Sequence, residues 1–465
     1  MASLFSTTVA ALSTAPGKAG IAVIRVSGVD CFSIVSKVFF PRSGKKITDY
    51  KGASAVFGDF IYENEALDNG LCTVFYAPHS YTGEDTAELS CHGSELGVSL
   101  ILSALFAAGA VPAGPGEFTR RAFLNGKLTL SQAEAVGDLI DADNTAALRL
   151  SNAKVAGKLS EELSALSDEI TNILASVYAV IDYPDEDLAE LSGEEMKERL
   201  SAVLSRLEKL CASYNGGRAV TGGIPTAIVG LPNSGKSSLL NLLTETDRAI
   251  VTDIAGTTRD VITEKAHLGN ITLLLSDTAG IRKTDDAVEK IGVERAKRTL
   301  SDAELIFAVL DGTTPFSDGE RALCEALRLE TGKNILYFLN KSDKGILPEK
   351  KSDLAAVLPA GTEILSFSAK FGDGRDALLS RLSALYPVGD REIREGKIVT
   401  GARMYAALCG AKTCVSEALE TLFAYTPDLA GTDLERALSF LSEADGRSVT
   451  QEIVDRIFAK FCVGK

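Results

Sequence analysis

The sequence predicts a multidomain α/β protein. It has an N-terminal α+β domain, an all-α domain made of two separated stretches, and a doubly wound parallel-sheet domain inserted between them. Three observations carry this reading. At 465 residues the chain is too long for one ordinary core, and about three domains are expected. Between Pro225 and about Leu385, the short apolar runs TAIVG, ITLLLSD, LIFAVLD, ILYFLN and EILSFSA alternate with helical stretches, as a parallel sheet with crossover helices requires. On both sides of that segment apolar residues recur at helical spacing.

Taken in order, GIAVIRVSG, SAVFGDFIY and LCTVFYAP have the branched and aromatic content of strands, and SELGVSLILSALFAAG has the spacing of a helix. From about Leu130 the pattern changes. Leu159, Leu163, Leu166, Ile170, Ile173, Val177 and Val180 are separated by alternating steps of four and three, which predicts a long amphipathic helix in a bundle core. The stripe stops near Tyr183-Pro184, resumes from Glu194 to Cys211, and gives way at YNGGRAV to a different kind of segment. Beyond Tyr386-Pro387 helical spacing returns at Met404, Leu408, Ala411, Val415, Leu419 and Leu422, and again at Ile453, Ile457 and Phe461. The expected domains are 1–119, 120–216 (first helical part), 217–385 and 386–465 (second helical part). The two helical parts form one bundle in this reading.

Composition narrows the function. Sixty-three acidic against 48 basic residues give a net charge of -15, which argues against a chain that coats nucleic acid non-specifically, so any RNA contact is local. The eight cysteines are scattered without paired CxxC spacing, and free thiols are expected. The three histidines, His79, His92 and His267, have no clustered partners that would suggest a metal centre. The leading MASLFSTTVAALSTAPG lacks the basic start of a signal peptide, and no run of 18 apolar residues predicts a membrane span. A cytoplasmic location is expected.

The strongest motif is GLPNSGKS, Gly230 to Ser237, between the strand TAIVG and the helical SLLNLL. A glycine-rich turn in that setting surrounds phosphate oxygens with backbone N–H groups, while Lys236 reaches the outer phosphates and Ser237 ligates magnesium. Four further segments follow in the order of a GTPase: GTTRD, DTAG, NKSD and SAK. Asp277 ends the strand ITLLLSD, where a carboxylate supports the metal shell, and Thr258 ligates magnesium when a γ-phosphate is present. The predicted nucleotide site therefore comprises Asn233, Ser234, Gly235, Lys236, Ser237 and Ser238, then Gly256, Thr257 and Thr258. Asp277, Thr278, Ala279, Gly280, Asn340, Lys341, Asp343, Ser368, Ala369 and Lys370 complete it.

NKSD selects the base. The Asp343 carboxylate accepts from N1–H and the 2-amino group of guanine, whereas adenine offers neither donor. The ligands are GTP and GDP. Ile281 follows DTAG where many small GTPases carry a water-positioning glutamine, so another group must orient the water.

Together with these segments, TAPGKAGIAVIRVSG, YTGEDTAELSCHG, GEFTRRAFLNGKLTLSQAEAVGDLI, DTAGIRKTDDAVEKIGVERA and the terminal FCVGK make the whole chain resemble the MnmE/TrmE tRNA-modification GTPases. The resemblance implies an N-terminal folate-binding-like domain that mediates homodimerisation and a discontinuous helical domain carrying an inserted Ras-like G domain. It adds Thr252, Asp253, Ile254 and Ala255 to the nucleotide site. It implies potassium-dependent pairing of the G domains, with Asn233, Thr252, Ile254 and Thr257 around the ion, and Glu289 orienting the attacking water. It implies a reduced folate, 5-formyl- or methylene-tetrahydrofolate, contacted by Arg25, Glu88, Lys127 and Lys465. It also implies a FAD-dependent MnmG/GidA partner and tRNA, with an aminomethyl or carboxymethylaminomethyl group added at C5 of the wobble uridine. Since the phosphate loop is the only glycine-rich loop with helix context, the flavin comes from that partner.

Cys462 is the fourth residue from the end, between Lys460 and Lys465. By itself it reads as a buried helix-end thiol; the resemblance makes it a catalytic residue of the modification. The tail here is CVGK where relatives commonly end in CIGK, a loss of one methylene that is expected to be nearly neutral. A ribosome-assembly GTPase switch is the alternative from another class, but it predicts a basic RNA-binding appendage that this acidic chain lacks. A one-carbon transferase that merely carries a G domain is the other.

Overall fold

The computed structural model describes residues 7–182, 191–245, 263–277, 300–424 and 427–465. The chain divides into two compact units. One comprises Met1–Asp141, Lys154–Ser201 and Thr413–Lys465, and the other Ala142–Ala153 and Ala202–Lys412.

The first unit contains a seven-stranded sheet. Its strands are β1 (Val9–Leu12), β2 (Ala19–Ser27), β3 (Phe39–Pro41), β4 (Ser54–Tyr62), β5 (Glu65–Phe75), β6 (Thr86–Gly93) and β7 (Val111–Pro112), in the order β3-β4-β5-β6-β2-β1-β7. All neighbours run antiparallel except β1 and β7. Period-two alternation assigns the faces. Ala22, Ile24 and Val26 of β2 and Ala87, Leu89 and Cys91 of β6 point into a core shared with Ile101 and Leu105 of the helix Glu95–Ala108. Arg25 and Glu88 fall between those apolar positions, directly opposite each other in the ladder, and so share the outer face.

The same unit holds the long helix Lys158–Asp182. The stripe residues Leu159, Leu163, Leu166, Ile170, Ile173 and Val177 are all buried. This helix packs against Pro427–Asp445, from the far side of the insertion, and the Tyr178 hydroxyl donates to Glu435 Oε1 at 2.6 Å.

The second unit contains β8 (Ile224–Val229), β9 (Thr263–Leu268), β10 (Ile271–Asp277), β11 (Leu305–Asp311), β12 (Asn334–Asn340) and β13 (Ile364–Ser366), in the order β13-β12-β11-β8-β10-β9. The first five in that order are parallel, and β9 pairs antiparallel with β10 at the edge. Core side chains lie on both faces, with Ile228, Phe307 and Phe338 on one side and Ala308, Leu310 and Leu339 on the other. That explains why these strands read as continuous apolar runs rather than alternating ones.

Several expectations need correction. The segment at YNGGRAV, for which no element was assigned, is a separate helix, Tyr214–Thr221, after the one that ends at Ala212. Its glycines serve packing, since a Cβ on Gly216 would sit 2.3 Å from the Pro387 carbonyl oxygen and one on Gly217 would sit 2.3 Å from that of Val399. The last helix is Gln451–Phe458, so Phe461 lies beyond it; its ring packs 5.4 Å from that of Phe458. The expected boundaries at 119 and 216 fall inside the helices Glu117–Leu124 and Tyr214–Thr221. Strands β1, β3, β6, β7 and β9 were not anticipated. Among the described residues, no helix is long and apolar enough to cross a membrane.

Candidate functional site

The phosphate loop connects the carboxyl end of β8 to the helix Lys236–Glu245. Its backbone is left-handed at Asn233 (φ 64°) and at Gly235 (φ 100°), so successive N–H groups turn inward as an anion-binding nest needs. Gly235 is glycine for a second reason. A Cβ there would lie 2.0 Å from Asn340 Nδ2. The Lys236 ammonium donates to the carbonyls of Gly230 and Leu231, both at 2.9 Å, and therefore sits over the loop. Ser234 Oγ is buried with no hydrogen-bond partner. A cationic, N–H-rich loop with an orphaned hydroxyl is suited to a polyanion. Ser237 and Ser238, in the first helical turn, stand at the positive end of the helix dipole.

Asn340 ties three motifs together. Its Nδ2 donates to the Ser234 carbonyl at 2.8 Å, and its Oδ1 accepts from Ala369 N at 2.9 Å. Ser368 Oγ donates to Asp343 Oδ1 at 2.8 Å, leaving the exposed Asp343 carboxylate fixed on one side. Lys341 adopts a left-handed backbone (φ 66°), and its ammonium pairs with Asp311 at the end of β11. Lys370 is exposed and lies over the Phe371 ring at 5.0 Å. The structure thus brings Asn233–Ser238, Asn340, Lys341, Asp343 and Ser368–Lys370 together at the carboxyl ends of parallel strands, where ligands of doubly wound sheets bind. Asp277 ends β10, paired in register with Ile228. Thr252, Asp253, Ile254, Ala255, Gly256, Thr257, Thr258, Thr278, Ala279, Gly280 and Glu289 lie outside the described residues.

A second polar cluster occupies the outer face of the seven-stranded sheet. Arg25 donates through Nη2 and Nε to Glu88 Oε1 at 2.8 and 3.1 Å, and its guanidinium lies over the rings of Tyr81 (5.1 Å) and Phe118 (5.3 Å). The end of the chain docks beside it. Phe118 N donates to the Lys465 carbonyl at 3.0 Å, Gly116 N to that of Cys462 at 3.2 Å, and Ser13 Oγ to that of Gly464 at 2.8 Å. Val463 forms an antiparallel bridge with Pro115. Gly464 is left-handed (φ 96°), and a Cβ on it would meet the Leu12 carbonyl oxygen at 2.0 Å. The tail is a docked strand-like segment, and the Cys462 thiol is exposed. Arg25, Glu88 and Lys465 are thereby gathered around Phe118. Lys127 instead donates to the Pro78 carbonyl at 3.0 Å, and no direct contact links it to the other three.

A family model described as the GTP-binding protein TrmE N-terminus matches residues 8–127, and one described as the MnmE helical domain matches residues 130–462. The chain belongs to the MnmE/TrmE family. A protein named tRNA modification GTPase MnmE from Thermoanaerobacter sp. (strain X514) is 40% identical over 463 residues, covering 98% of this chain and 99% of that one. The similarly named protein of Clostridioides difficile (strain 630) is 38% identical over 459 residues, with the same coverage. Among solved structures, a point variant of Aquifex aeolicus Era bound to GDP.AlF4- is 26% identical, covering 41% of this chain and 65% of that one, with a TM-score of 0.29. This MnmE-family chain is a GTPase.

Two charged groups of this MnmE-family chain were not singled out as site residues from the sequence. Asp311 carries Lys341, and Asp311 Oδ1 also accepts from Thr313 N and Oγ1 at 2.9 and 2.6 Å. Desolvation opposes ionisation of Asp311, but the bonds from Lys341 and Thr313 outweigh it and hold its carboxyl below the usual range. Arg121 is buried and pairs with the buried Glu84 at 2.9 Å and with Glu117 at 3.0 Å, and it donates to the Thr7 carbonyl at 2.9 Å. A signal for the first existed in LIFAVLD, an apolar strand closing on a carboxylate. For the second, Arg121 and Glu84 lie in the quoted GEFTRRAFLNGK and YTGEDTAELSCHG, but nothing in either segment signals that they pair.

Proposed function

We propose that this chain is the GTP-hydrolysing component of a complex that adds an aminomethyl or carboxymethylaminomethyl group to C5 of the wobble uridine, U34, of certain tRNAs. The one-carbon unit comes from a reduced folate, and the second protein is a FAD-dependent MnmG/GidA flavoprotein. The observation that carries this is the docking of the terminal CVGK beside the Arg25–Glu88 pair, in a chain alike from end to end to proteins named tRNA modification GTPases. A cytoplasmic location follows from the substrate, and the domains keep the expected order, with the boundaries near 119 and 216 moved clear of the helices Glu117–Leu124 and Tyr214–Thr221.

The nucleotide-binding residues divide the work. Backbone N–H groups of Asn233–Lys236 and the Lys236 ammonium hold the phosphates, Asp343 reads the guanine edge, and Asn340 keeps the two loops in register. Magnesium, held by Ser237 and Thr258, would neutralise charge on the outer phosphates. Potassium, held by Asn233 and the residues Thr252, Ile254 and Thr257, would add positive charge beside the phosphates as two G domains meet. The left-handed, exposed Asn233 supports that reading by leaving its side chain free of the loop's own core. Glu289 orients the attacking water.

In the N-terminal domain, Glu88 suits the amino-pyrimidine edge of a pterin, and Arg25, Lys127 and Lys465 suit the acidic tail of the folate. The donor set fits: Arg25 pairs with Glu88 at 2.8 Å on a face built of the Tyr81 and Phe118 rings, against which a flat heterocycle stacks. A homodimer is supported by exposed apolar side chains at the start of β2 (Ile21) and on the helix Glu95–Ala108 (Leu96, Leu100), two elements that line one cavity of about 300 Å³.

Mass spectrometry of wobble uridines in cells carrying Cys462→Ser as the only copy tests the proposal. Loss of the modification with GTP turnover intact supports it, and unchanged uridines overturn it. Potassium is tested by turnover in potassium against sodium at equal ionic strength, and Asn233→Ala should erase the difference. Glu289→Ala should bind GTP normally and lose roughly two or more orders of magnitude in turnover.

A further inference from the structure

Of the eight cysteines, Cys31, Cys72, Cys91, Cys324 and Cys414 are buried, and Cys462 lies exposed on the docked tail. Cys211 and Cys409 are different. Both are half-buried, and their sulfurs are 3.8 Å apart although 198 positions separate them in sequence. Cys211 lies in the last turn of the helix Gly193–Ala212, and Cys409 lies near the start of Ala402–Ala424. Next to them the rings of Tyr214 and Tyr405 stack at 4.3 Å and 11°, and Val399 N donates to Ser213 Oγ at 3.1 Å. These contacts hold together the two points at which the chain leaves for, and returns from, the nucleotide-binding sheet.

We propose that Cys211 and Cys409 form a thiol-modification site, at which a small aliphatic disulfide converts the pair to an intramolecular disulfide that staples the stem of the inserted domain. The Cys409 thiolate attacks one sulfur of the small disulfide. Its S–S bond breaks, a mixed disulfide forms on Cys409, and the first small thiolate leaves and takes up a proton. Cys211 then gives its proton to solvent and attacks the Cys409 sulfur, expelling the second small thiolate. Two protein thiols and one small disulfide become one protein disulfide and two small thiols, so the electrons balance.

The order of attack follows from the surroundings. Burial first, then the hydrogen bond and charge of Cys409, push the Cys211 thiol up to about 12. The two causes due to Cys409 disappear once that sulfur is capped, while burial, the larger cause, remains. Bonding requires the sulfurs to close from contact to about 2.05 Å. The link closes a very long loop, the case in which a cross-link restrains the unfolded chain most.

The test treats the full-length protein with oxidised glutathione and maps its peptides without reduction. The expected result is a Cys211–Cys409 linked peptide appearing while Cys462 carries a glutathione adduct, together with a rise of about 5 °C or more in the thermal transition that dithiothreitol reverses. Cys409→Ala should abolish the linked peptide. Separate adducts on Cys211 and Cys409, or free thiols at both when Cys462 is fully modified, would overturn the proposal. The wild-type map needs no variant, so poor folding of Cys409→Ala leaves the test intact.

Discussion

The two sheets assemble their polar sites by different routes. At the parallel sheet, the groups stand on loops at the carboxyl ends of β8, β12 and β13, and each loop brings its residues as one contiguous motif. At the antiparallel sheet, Arg25 and Glu88 come from neighbouring strands, Phe118 from a helix, and the last four residues from the far end of the chain. A site of the first kind is written locally and needs the fold only to bring a few loops together. The second kind exists only when the whole unit is folded, and it is coupled to that unit's stability.

The largest expected effect tests the local site. Asp343→Asn removes the acceptor for the guanine edge and should weaken GDP binding by roughly three orders of magnitude or more, measured by equilibrium binding of a fluorescent analogue. Xanthine nucleotides, which carry a carbonyl in place of the 2-amino group, should bind the variant better than the parent. A loss of less than tenfold would mean that the loop geometry, not its carboxylate, selects the base.

Next comes the buried pair of the antiparallel unit. Arg121→Met leaves Glu84 buried with its Ser27 partner but without a cation, and should cost about 3–5 kcal/mol in chemical denaturation. Nucleotide affinity should not change. If affinity fell with stability, the two units would not be energetically separate.

Gly464→Ala sharpens the comparison further. The added methyl meets the Leu12 carbonyl in a backbone conformation that L-residues avoid, at a local cost of about 1–3 kcal/mol. Uridine modification should fall at least about tenfold while GTP turnover stays within twofold, because the tail lies in the other unit from the phosphate loop. Wild-type modification levels would show that docking of the tail is dispensable.

The smallest effect is at Asp311. Asparagine keeps the acceptor for Thr313 but removes the charge that holds Lys341, and GDP affinity should drop about fivefold with no change in thermal stability. An unchanged affinity would make the ion pair incidental to the guanine loop.

These outcomes bear on what sequence reasoning reached. Strands β4, β10 and β11 were read with their observed limits because each is a short apolar run bounded by turn residues. β6 was missed although it lies in a quoted motif, because TAELSCHG mixes acidic and small residues whose alternation becomes clear only beside β2. The helix at YNGGRAV was not assigned for a different reason: two glycines disfavour a helix locally, yet here they admit the carbonyls of Pro387 and Val399, some 170 to 180 positions away.

The sequence alone determined the order of the nucleotide motifs, the preference for guanine, the parallel sheet and the amphipathic helix Lys158–Asp182. All of these depend on residues within a few turns or one loop of each other. Only the tertiary structure decided that Arg25 faces Glu88, that Arg121 is buried with Glu84, that Cys211 meets Cys409 and that the terminal glycine lies against Leu12. Each is a pairing across tens to hundreds of positions. Such pairings arise from strand register and close packing, and a one-dimensional pattern carries no record of which distant residue fills the space opposite.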